Sequence, residues 1–76
     1  MVIVVFRKET DKLASVCSKT FKSIDAAKQR IEDDAAFFCT KHPGSLNCGW
    51  IKPKTLDYCM VTLKNGVNCY WQYFNI

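Results

Sequence analysis

Five apolar residues, Val2 to Phe6, open the chain and run into the charged group Arg7-Lys8-Glu9. In an extended strand Val2, Val4 and Phe6 share one side, and Ile3 and Val5 share the other. A strand apolar on both sides is central in a sheet or covered on both faces. Glu9 to Lys12 is a polar connection. Leu13 to Phe21 predicts a second, weaker strand, with Leu13, Cys17 and Phe21 on one side and Ser18 and Thr20 on the other. An antiparallel hairpin is the simplest link between the two. Lys19 and the polar character of this stretch suit a sheet edge.

The period then changes from two to that of a helix. Ser23 is an N-cap residue, and Asp25 falls in the first turn, where a carboxylate complements the helix dipole. The spacing predicts a helix from Ile24 to about Lys41. Ile24, Ala27, Ile31, Ala35 and Phe38 form one apolar stripe, and Lys28, Gln29, Glu32 and Asp33 form the wet face. Lys41 and His42 bring positive charge to the C-terminal end, and Pro43-Gly44 stops the helix. Pro43 to Thr55 holds two prolines, two glycines and an asparagine, which predict a loop. Trp50 and Ile51 are expected to tuck back onto the core or the helix end.

Leu56 to Ile76 predicts a closing hairpin around Lys64-Asn65-Gly66. A two-residue Asn65-Gly66 turn would mix polar and apolar residues on both faces. A three-residue loop with left-handed Gly66 and a bulge sets Leu63 opposite Val67, Val61 opposite Cys69 and Cys59 opposite Trp71. That register gathers Cys59, Val61, Leu63, Val67, Cys69 and Trp71 on one face. Tyr58, Met60, Thr62, Asn68, Tyr70, Gln72 and Phe74 are left on the other.

The fold expected is therefore a single two-layer α+β domain of order ββαββ, residues 1–76. One helix packs on one face of a four-stranded, mainly antiparallel sheet. Because one helix covers one face, the second face must meet water, the loop or a partner. With Tyr58, Met60, Tyr70 and Phe74 on it, that face is too apolar for a lone monomer.

Length and charge narrow the picture further. Seventy-six residues leave no room for a second core. The net charge of +4, from 11 Lys and Arg against 7 Asp and Glu, excludes an acidic nucleic-acid mimic and permits an acidic partner. The opening residues lack the features of a signal peptide, and no run approaches the roughly 20 apolar residues of a membrane helix. Five cysteines, an odd number, point to reduced thiols and a cytoplasmic protein.

No motif declares a chemistry. Cys39-x-x-His42 with Cys48 has partial zinc-ligand spacing but lacks a fourth ligand and paired half-motifs, so these residues are expected to be packing and capping groups. Cys39 with His42 also lacks the orienting acid and oxyanion donor of a nucleophilic site. Cys59 and Cys69 stand diagonally and are expected to be free. Glu32-Asp33-Asp34 fan around the helix and do not converge on a cation. No catalytic residue, metal or cofactor is expected, and the protein is read as a non-enzyme.

Basic residues beside aromatics admit a weaker reading, a nucleic-acid-binding module using Lys52, Lys54 and an aromatic platform. Protein recognition uses the same features, because aromatics and methionine are enriched at interface cores. The expected contacts are Tyr58, Met60, Tyr70 and Phe74, with Lys52 and Lys54 at the rim. A homodimer is a further way to hide the face.

In layout the chain resembles very small single-domain proteins of phages and mobile elements. The opening VIVVFRKE, the strand-to-helix junction TFKSIDAAKQRIEDD and the aromatic pair DYCMVTL and CYWQYF carry the likeness. It implies a stoichiometric inhibitor of the anti-CRISPR or anti-defence type, acting on a host effector in the host cytosol. It implies no particular target.

Overall fold

A computed structural model describes residues 1–51 and 57–76. The elements are β1 (Val2–Lys8), β2 (Ser15–Val16), α1 (Ile24–Lys41), β3 (Leu46–Ile51), β4 (Tyr58–Thr62) and β5 (Asn68–Asn75). The strands form one five-stranded sheet in the order β2-β1-β5-β4-β3. Every neighbouring pair is antiparallel. The architecture is α+β, as the patterning predicts, but with five strands rather than four. The two longest strands pair along their length, from Val2 opposite Asn75 to Lys8 opposite Cys69.

The fifth strand lies in the stretch expected to be loop. The register shifts between Asn47 and Gly49, so Cys48 is an extra residue that pairs with nothing on β4. Gly49 has φ +70, and its N–H donates to Asn47 Oδ1 at 3.0 Å. The bulge breaks the alternation that marks a strand in sequence. Beyond it Trp50 lies opposite Cys59 and Ile51 opposite Tyr58.

The expected strand over Leu13–Phe21 is reduced to Ser15–Val16 and one isolated bridge between Val2 and Phe21. Phe21 is buried, whereas Leu13 is 83% exposed. The segment follows β1 through single contacts, such as Cys17 N–H to Val4 O at 2.8 Å. Its apolar residues are too widely spaced to hold a continuous strand face.

The helix has the predicted bounds. Ser23 Oγ accepts from Ala26 N–H at 3.1 Å, and the His42 backbone N–H donates to Phe38 O. Ala27, Ile31 and Ala35 are fully buried, but Ile24 in the first turn is 42% exposed. The small alanines let the helix approach the sheet closely, and Ile31 fills the space between them. On the sheet side the core consists of Val2, Val4, Cys59, Val61, Cys69 and Trp71. Phe6 and Phe38 close it, each ring lying against Trp71.

The closing hairpin takes the three-residue form. Gly66 N–H donates to Leu63 O at 2.9 Å, Leu63 N–H donates to Val67 O at 2.8 Å, and Gly66 has φ +89. Val61 pairs with Cys69 and Cys59 with Trp71. No helix among the described residues is long and apolar enough to cross a membrane.

Candidate functional site

Because Val2 and Val4 are buried under the helix, Ile3 and Val5 occupy the opposite face of β1. Cross-strand pairing then defines rows on that open face. Ile51, Tyr58, Gln72, Val5 and Val16 line up across all five strands. The next row is Gly49, Met60, Tyr70 and Arg7, and Phe74 pairs with Ile3 at the opposite end. Four of the six expected contacts, Tyr58, Met60, Tyr70 and Phe74, therefore share one face. Lys52 and Lys54 lie outside the described residues.

Tyr58 and Tyr70 meet edge to face, with centroids 5.5 Å apart at 76°. Such geometry sets the positive edge of one ring against the negative face of the other. The Arg7 guanidinium lies 5.8 Å from the Tyr70 centroid. Tyr58, Met60, Tyr70 and Gln72 are half-buried, and Phe74 is 38% exposed. They pack on one another across the strands, and no described element lies over them.

The face is graded. Towards the hairpin turn it becomes polar: Thr62 Oγ1 donates to Asn68 Oδ1 at 2.8 Å, and Asn68 N–H donates to Glu9 Oε1 at 3.1 Å. Tyr70 Oη reaches Glu9 Oε2 at 3.5 Å. Towards Phe74 and Ile3 it stays apolar and runs to the exposed side chains of Met1 and Ile76. Arg7 and Glu9 were not singled out by sequence reasoning, and Ile51, expected with Trp50 to tuck onto the core or the helix end, instead lies beside Tyr58 on the open face. The charged pair sits just where β1 ends, and the strand position of Ile51 was hidden by the bulge.

Lys28 does not belong to a wet face. Its Nζ is 3.5 Å from Asp57 Oδ2 and lies over the Trp50 and Tyr73 rings at 5.3 and 5.7 Å. Tyr73 Oη approaches the same carboxylate at 3.5 Å. This cluster ties the helix to β3 and β5 on the covered face.

The chemical candidates are dispersed into packing. His42 stacks on Phe38 with centroids 4.1 Å apart, and its Nδ1 is 3.0 Å from Phe38 O. Cys39 packs against the core, and Cys48 Sγ sits near Leu46 O and Thr62 Oγ1. Among the described residues no three His, Cys, Asp or Glu side chains converge as metal ligands. Asp34 is bound to Arg30, and Asp33 accepts from Gln29. All five cysteines are free. Burial, reinforced by the Glu32 charge, pushes the Cys59 thiol from 9.0 up to about 11. Burial also raises the Cys69 thiol. Both are therefore held as neutral packing groups at physiological pH.

No family model matches this chain, and neither the curated proteins nor the solved structures yield a match to it.

Proposed function

We propose that this protein is a non-enzymatic binding module whose open sheet face engages a partner protein. The observation that carries the reading is the cluster of Tyr58, Met60 and Tyr70 on two adjacent rows of the sheet, with exposed Phe74 beyond it and no described element over it. Aromatic side chains of this kind supply much of the binding energy at protein interfaces. The edge-to-face tyrosines are already positioned, which lowers the ordering cost of association. The resemblance to small phage proteins extends the proposal to an inhibitor that occludes a host macromolecule such as a defence effector in the cytosol. A second copy of the chain is a further candidate for the same face.

Replacing Tyr70 and Phe74 together with Ser tests this. Capture from host lysate and light scattering should show loss of the partner or of the dimer, while circular dichroism stays native. A double variant that captures and self-associates like the parent overturns the assignment.

The Arg7–Tyr70 contact favours nucleic acid as a second reading, since a cation beside a stacking ring suits a single strand. Glu9 beside the same tyrosine opposes it. Binding to single-stranded RNA or DNA that falls log-linearly with salt would favour this reading, and absence of binding at low salt would remove it.

A further inference from the structure

The shortness of β2 leaves a gap on the helix side of the molecule. A full strand over Leu13–Phe21 would have laid side chains along the flank of β1 beneath the helix. Instead there is a cleft of about 480 Å³ between α1, β1 and the segment around β2. Its volume falls in the range of about 300–1,000 Å³ usual for small-molecule sites. Val4, Phe6, Phe38 and Trp71 contribute to its apolar lining, and exposed Ser15 and Phe37 stand on the β2 and α1 sides.

The polar lining is biased towards cations. Two cations, Arg30 and Lys41, line the cleft against one acid, Asp34. That acid is already engaged, because both its oxygens accept from Arg30 Nε, at 3.0 and 3.1 Å. The Nη groups of Arg30 make no hydrogen bond among the described residues. Lys41 Nζ lies 5.2 Å from the Phe37 centroid and has no carboxylate partner among the described residues. Unused donors beside an apolar concavity match a ligand with an apolar body and one anionic end.

We propose that this cleft binds a small amphiphilic carboxylate, its apolar body lying against Phe6, Phe38 and Trp71 and its carboxylate against Lys41. The site lies on the opposite side of the sheet from the proposed protein-binding face and does not depend on it.

The test is a titration of the isotope-labelled protein followed by amide resonances, with decanoate as probe and decanol as its neutral counterpart. Decanoate should shift the signals of Cys17, Arg30, Phe38 and His42 saturably. Ser15→Glu, at an exposed position opposite Phe6, should abolish the shifts by placing a like charge in the wall. Lys41→Glu should weaken decanoate about fivefold or more while sparing decanol, as expected for one partly solvated charge contact. Tyr70→Ser should change nothing. The proposal is overturned if decanoate gives no saturable shift, if shifts map to the open sheet face, or if Lys41→Glu leaves decanoate affinity unaltered. Concentration-dependent shifts of the same signals without ligand would also overturn it, by showing that a second copy fills the cleft.

Discussion

Tyr58 and Tyr70 stand diagonally across β4 and β5, one ring presenting its edge to the face of the other at a centroid distance of 5.5 Å. The contact is on the face that α1 does not cover. It orders the middle of that face before any partner arrives. A double-mutant cycle with Tyr58→Ala and Tyr70→Ala should give a coupling of about 0.5–1 kcal/mol in urea unfolding. Additive losses would show that the two rings contribute independently.

Gly66 has φ +89, and a Cβ built there meets nothing within 4 Å. Gly66→Ala should therefore cost only backbone strain, about 1–2 kcal/mol. The urea midpoint should fall with little change in slope. A variant as stable as the parent would contradict the bulged three-residue turn.

Ile31 is fully buried between Ala27 and Ala35 on the helix face that meets the sheet. Its neighbours on that stripe are too small to fill the space it would leave. Ile31→Ala should cost about 3 kcal/mol, a large share of the stability of so small a domain. Ala36→Ser, on the exposed side of the following turn, should change stability by less than about 0.5 kcal/mol. Equal effects at both positions would mean that the helix packs through another face.

The Cys59 thiol titrates near 11 in the folded chain and near its ordinary 9.0 when unfolded. The unfolded state therefore loses its proton first as pH rises. Stability associated with the neutral buried thiol is complete below about pH 9 and is lost as pH climbs towards 11. The stability gap between the parent and Cys59→Val should shift in favour of the variant over that window and stay constant below it. A gap unchanged up to pH 11 would refute the assignment of the shift to burial of this thiol.

Local chemistry made much of the fold legible. Ser23, Asp25 and the Ala27-Ile31-Ala35 spacing specify the helix and its buried side. Lys64-Asn65-Gly66 specifies the bulged turn, and a strict period of two then assigns Tyr58, Met60, Tyr70 and Phe74 to one face. Those properties depend on neighbours within a few residues, so the order of residue types suffices.

Pairing between distant segments was decided only by the tertiary structure. Val2–Phe6 is apolar on both sides, so its pattern cannot say which side meets the helix; pairing with β5 buries Val2 and Val4 and turns Ile3 and Val5 outward. Bulging at Cys48 erased the alternation of β3, and the strand is recovered by its hydrogen bonds to β4. Lys28 reads as solvated by helical period, yet Trp50, Asp57 and Tyr73 converge on it from three other parts of the chain. The cleft beside β2 exists because a segment with strand-like composition pairs at only a few points, a property of the assembled sheet and not of the segment.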